Sequence, residues 1–155
     1  PAFGNEVRNF RAEDIYVGYR YFETFAKDDV LFPFGYGLTY TQFAIVCETA
    51  AVCGDAVNFV FRVKNTGKER GKEVVQLYFS APQGRLGKPA RGLCGFKKTK
   101  ELQPGNTQKI EISVPFYTLA SYDDTGAAGA ESGEIRLTVR RISPPQKGAC
   151  HDVSF

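Results

Sequence analysis

The 155-residue sequence contains no Trp, no Met and only one His. A Ser/His or Cys/His nucleophilic pair would have to use that single base, His151, which lies near the end of the chain, and no G-x-S-x-G occurs. Cysteine is sparse: Cys47, Cys53, Cys94 and Cys150 form no C-x-x-C pair, and the adjacent Cys150-His151 stand too close for the usual zinc-ligand spacing. Cys47 and Cys53 flank an expected hairpin turn, which leaves a disulfide between them open beside the preferred reading of free thiols. No apolar run approaches the roughly 20 residues of a membrane helix. No basic-then-apolar leader is visible, and cytoplasmic and secreted locations both stay open. A chain that lacks Met and begins Pro1-Ala2-Phe3 reads as a processed or cut product, so a neighbouring segment is to be expected. The formal charge of +3 is too small to argue for nucleic acid without a basic stripe, and Lys97-Lys98-x-Lys100 and Arg140-Arg141 read as solvated strand edges.

What the chain has in quantity is aromatic rings, 13 Phe and 8 Tyr, crowded into its first quarter. Residues 15–22, IYVGYRYF, are β-branched and aromatic and are expected to be extended. Residues 31–41, LFPFGYGLTYT, set Pro33, Gly35 and Gly37 between large apolar groups and predict a shaped, packed loop. Strand patterns follow. They are expected at 42–48, at 56–64 with Val57, Phe59, Phe61 and Val63 on one face, and at 72–80 with Val75, Leu77 and Phe79 inward. Others are expected at 94–102, at 108–114 through Ile110, Ile112 and Val114, and at 134–141 through Ile135, Leu137 and Val139. Asn65-Thr66-Gly67 supplies turn chemistry, Phe116, Leu119 and Tyr122 predict a corner that plugs the core, and 123–133 reads as a loop. Short alternating strands without a long helix predict an all-β, immunoglobulin-like antiparallel β-sandwich.

Chemistry is scarce. Glu13, Asp14, Glu23, Asp28, Asp29, Asp123 and Asp124 all fall in polar turns, where solvated or capping roles are expected rather than a glycosidase pair. Asp123-Asp124-Thr125-Gly126 lacks the alternating acids of a calcium loop, and Gly35-x-Gly37 lacks the Lys-Ser/Thr and following helix of a phosphate loop. The residues alone describe a β-sandwich without an active site of its own.

Residues 12–22, AEDIYVGYRYF, followed by 31–43, LFPFGYGLTYTQF, resemble a signature of glycoside hydrolase family 3, the β-glucosidase and β-xylosidase family. The similarity continues through VKNTG at 63–67, GKEVVQLY at 71–78, LCGFKK at 93–98 and LQPG at 102–105. The sequence departs from the family in having no Trp before its last strand and VRRIS at 139–143 in place of V-G-x-S. In that family this pattern joins an α/β sandwich domain to a fibronectin type III-like domain. The resemblance implies that 1–40 is the tail of the preceding domain with a packed connector, 41–142 a fibronectin type III-like domain, and 143–155 a tail or linker. It implies a parent that cleaves β-linked sugars with retention through an Asp nucleophile and a Glu acid/base. Neither of those motifs occurs here, so no catalytic residue, metal ligand or cofactor is assigned to this chain. The implied role is structural, with the catalytic domains of the same parent chain as partner. A homo-oligomer contact stays open, and neither nucleic acid nor membrane is expected as a partner. Tyr16, Tyr19, Arg20, Tyr21, Phe22, Phe32, Phe34 and Tyr36 are the candidate interdomain contacts, because a sandwich with its own core cannot bury them all. The alternative is a carbohydrate-binding or adhesive module, which would need exposed rings along one sheet face.

Overall fold

The strands owe their position to period-two burial. The computed structural model describes residues 14–32, 36–37, 40–84, 87–122, 128–129 and 135–141. Strands β1 (Phe43–Cys53), β2 (Ala56–Asn65) and β5 (Thr107–Pro115) form one antiparallel sheet in the order β1-β2-β5. Strands β3 (Val74–Ser80), β4 (Gly92–Lys98) and β8 (Arg136–Arg141) form a second in the order β4-β3-β8. A two-residue pair, β6 (Ser121–Tyr122) and β7 (Ala128–Gly129), stands apart.

The core lies between the two larger sheets. Val57, Phe59, Phe61 and Val63 of β2 and Ile110, Ile112 and Val114 of β5 meet Val75 and Leu77 of β3 and Leu137 of β8. Phe59 and Phe61 stack with ring centroids 5.9 Å apart. Burying two such rings supplies a large share of the apolar area that holds the sheets together. The two-residue loop Gly54-Asp55 closes the β1–β2 hairpin. Gly54 has φ +61°, the pattern of a type II′ turn, whose hand matches the strand twist.

Several sequence expectations change. Residues 19–25 are not extended but form helix α1 (Tyr19–Phe25), preceded by Gly18 at φ +59°. β-propensity lost there to packing: the Tyr21 and Phe25 rings, four residues apart on the helix, meet at a tilt with centroids 5.6 Å apart, and the Thr24 hydroxyl donates to the Arg20 carbonyl at 2.6 Å. Strand β1 runs through to Cys53, so Cys47 and Cys53 lie on one strand and not across a turn. Six extended residues span about 20 Å, beyond the roughly 7 Å that a disulfide can bridge, and both thiols are free. β3 begins at Val74, and β4 covers Gly92–Lys98, two residues earlier than its pattern suggests. Pairing beyond β4 survives only as a Gly71–Leu102 bridge and a bond from the Thr99 N–H to the Glu73 carbonyl. In the 3-10 turn Phe116–Leu119 it is Leu119 that enters the core, while Phe116 stays exposed. The expected tail 143–155 and most of the expected loop 123–133 lie outside the described residues.

Candidate functional site

The aromatic segment ahead of β1 divides into an anchored side and a bare side. Three side chains of α1 and its neighbours tie it to the second sheet. The Tyr19 ring meets Tyr78 edge-on at 5.8 Å, and its hydroxyl oxygen accepts the Leu93 N–H at 2.8 Å. The Thr24 hydroxyl oxygen accepts the Ala90 N–H at 2.9 Å, and Glu23 lies 3.4 Å from Arg91. Under this contact Tyr78 is buried and its hydroxyl donates to Gln76 at 2.6 Å. Gln76, Tyr78 and Thr138 are all buried although they alternate with the core residues of their strands.

The other side of the segment has no cover. Tyr21 and Phe22 point outward with Phe25, which is 61% exposed, and Val17. Phe32 and Tyr36 pair with centroids 5.0 Å apart, both open to solvent, beside Leu31 at 84% exposure. Tyr16 is half-buried, with its ring 4.9 Å from Phe25. Arg20 is half-buried on α1. Phe34 lies outside the described residues. The structure therefore brings Tyr16, Tyr19, Arg20, Tyr21 and Phe22 together around α1, while Phe32 and Tyr36 form a separate pair. Sequence reasoning missed Phe25, Leu31 and the anchors Glu23 and Thr24. Tyr19, Phe22 and Phe25 stand three apart, but the β-branched and aromatic content of 15–22 fits a strand as well, so the spacing alone did not signal a helix.

Among the described residues, the carboxylates weighed as catalytic groups do not converge. Glu23 serves the Arg91 contact, Asp28 and Asp29 sit in an exposed 3-10 turn, and Asp14 is exposed in a turn. Glu13, Asp123 and Asp124 lie outside the described residues. Among the described residues, no three His, Cys, Asp or Glu side chains cluster as metal ligands. No described helix is long and apolar enough to cross a membrane. Among the described residues, titration is perturbed at three places. Lys109, hydrogen-bonded to Glu48, and Arg62 beside it hold the Glu48 carboxyl below its ordinary value, against a smaller opposing effect of burial. Burial pushes the Cys94 thiol up to about 12, and its sulfur donates to the Leu77 carbonyl at 3.3 Å. Burial also raises Cys47. A thiol held protonated is a poor nucleophile, so Cys47 and Cys94 behave as packing groups.

Residues 73–143 match the family described as fibronectin type III-like domain. A β-glucosidase of Ruminococcus albus is 55% identical over 127 residues, a match covering 82% of this chain and 13% of the relative. β-Glucosidase A of Butyrivibrio fibrisolvens is 51% identical over 131 residues, covering 74% of this chain and 16% of the relative. A solved β-glucosidase from Paenibacillus barengoltzii superposes with a TM-score of 0.78 at 48% identity, over 92% of this chain and 17% of that one. β-Glucosidase 3B of Thermotoga neapolitana, solved with glucose, gives a TM-score of 0.79 at 36% identity, over 92% of this chain and 20% of that one. The chain spans a fifth or less of the length of these relatives. It carries a fibronectin type III-like domain and, over the segment it spans, belongs with the β-glucosidases of glycoside hydrolase family 3.

Proposed function

We propose that this chain serves as the non-catalytic brace of a larger retaining β-glucosidase, and that its aromatic connector docks against the catalytic part of that parent. On this reading 1–40 is the connector with the tail of the preceding domain, 41–142 the sandwich and 143–155 a linker. Tyr21, Phe22, Phe32 and Tyr36, joined by Phe25, are the contacts that face the parent, while Tyr19 holds the helix to the sandwich. The observation that carries this is the two-sidedness of α1. One face is fixed by hydrogen bonds to Leu93 and Ala90, and the other presents rings to solvent. Contiguous exposed apolar surface of that kind marks an interface.

The test is an assay of the isolated chain on aryl β-glucosides. No turnover above buffer is expected, because no carboxylate pair converges among the described residues. Turnover comparable to an intact β-glucosidase would overturn the reading.

A further inference from the structure

The end of the sandwich remote from α1 collects cations. Residues 62–73 and 97–111 hold nine Lys and Arg against four carboxylates, whereas the whole chain carries a net charge of only +3. The fold makes one surface of these segments: Gly71 bridges Leu102, Val74 pairs with Lys98, and Lys64 pairs with Thr107. Helix α1 anchors beyond the opposite strand ends, at Ala90, Arg91 and Leu93. All nine cationic residues are exposed.

Four of them are engaged. Arg62 and Lys109 share Glu48 at 2.8 and 3.0 Å, Arg70 lies 3.6 Å from Glu101, and the Lys97 ammonium donates to the Glu111 carbonyl at 3.2 Å. Lys64, Lys68, Lys72, Lys98 and Lys100 have no carboxylate within ion-pair distance among the described residues. Like charges on adjoining strands repel; Lys98 sits on the edge strand β4, where lysine keeps a bare edge from pairing, whereas Lys64, Lys68, Lys72 and Lys100 lie outside that strand. Both arginines are already paired, so what remains is a set of ammonium groups. These compact, hydrated point charges attract an anionic polymer without the two-pronged fit that arginine gives to carboxylate or phosphate alike. Beside them stands Phe96, 68% exposed, two residues before Lys98 and so on the same face of β4. An open ring next to an ammonium offers an apolar platform for a pyranose face and a counter-charge for its carboxylate.

We propose that this basic end, with Lys68, Lys72, Lys98, Lys100 and the Phe96 ring, binds an acidic polysaccharide. Polygalacturonate is the probe. The 155-residue chain should be retained on the immobilised polymer at low salt and released by NaCl, with no retention on a neutral glucan. The variant K68Q/K72Q/K98Q/K100Q should lose roughly tenfold or more in association constant at ~50 mM salt, with a shallower dependence on salt. F96A should weaken binding to polygalacturonate and leave any retention on duplex DNA unchanged. If the fourfold variant does not fold, as judged by its melting temperature, K68Q/K100Q gives the same comparison with half the charge removed. Release of wild type and lysine variants at the same salt, or equal affinity for DNA and polygalacturonate with no effect of F96A, would overturn the proposal.

Discussion

Asn65 shows how much one side chain can hold together. Its amide donates to the carbonyls of Glu69 and Leu102 at 2.8 and 2.9 Å, and its side-chain oxygen accepts the Thr41 hydroxyl at 2.8 Å and the Gly67 N–H at 3.0 Å. Its backbone N–H and carbonyl are taken by Asn106 and Gly105. The residue is fully buried, and its side chain alone carries four of these bonds, those to Thr41 and Leu102 wholly buried. Gly67 has to be glycine for the same reason of crowding: a Cβ there would lie 2.2 Å from the Thr41 hydroxyl and 2.6 Å from the Gln42 nitrogen. From the sequence, Asn65-Thr66-Gly67 reads only as a turn that ends a strand. Partners 24 and 37 residues away carry no local signal, so the knot of three segments was not legible. N65A is expected to destabilise the chain by about 2–4 kcal/mol, because four hydrogen bonds made by one buried side chain are lost together. Urea unfolding measures it, and a loss under about 1 kcal/mol would mean that water takes over the site.

At the scale of elements, the strands were legible and the helix was not. Ala56–Asn65 and Thr107–Pro115 bury every second residue, and that alternation is written directly in Val57, Phe59, Phe61 and Val63 and in Ile110, Ile112 and Val114. Helix α1 buries no residue fully, so it leaves no apolar stripe of the kind that marks a core helix. It exists because Tyr19 and Thr24 reach N–H groups of a distant segment, which only the folded chain provides. The outer face of the first sheet offers a further element-scale consequence. Glu48 on β1 sits between Arg62 on β2 and Lys109 on β5, so one carboxylate ties three strands across the sheet. Its pKa is lower in the folded chain than its ordinary value near 4.5. A depressed folded pKa means that the unfolded chain takes up the proton first as pH falls. The contribution is therefore complete above about 4.5 and is lost as pH drops through the folded value. Wild type should melt above E48Q at neutral pH, and the gap should close as the pH is lowered toward 3 in a thermal-melt series. A gap that stays constant across that range would show that Glu48 acts through packing and not through its charge.

The molecule as a whole has two unlike ends, one aromatic and one cationic, on a sandwich with a core of its own. The uneven distribution of rings was visible in the sequence, and so was the resemblance that located them ahead of the sandwich. Which rings are tied down and which are bare depended on how α1 sits, and that needed coordinates. This division gives a contrast between the piece and the parent. In the isolated chain Phe22 and Phe25 are 40% and 61% exposed and touch only neighbouring rings of the same segment among the described residues, so the double variant F22A/F25A should shift stability by no more than about 1 kcal/mol per site. In an intact β-glucosidase with the same connector, the two rings would be buried against the catalytic part, and each truncation should cost about 3–5 kcal/mol if burial there is complete. The two melting shifts, measured side by side, separate docking from local folding. A small shift in the piece with a large one in the parent is expected. Equal small shifts in both would remove the docking role from α1, and a large shift in the isolated chain would mean that the rings stabilise the sandwich itself.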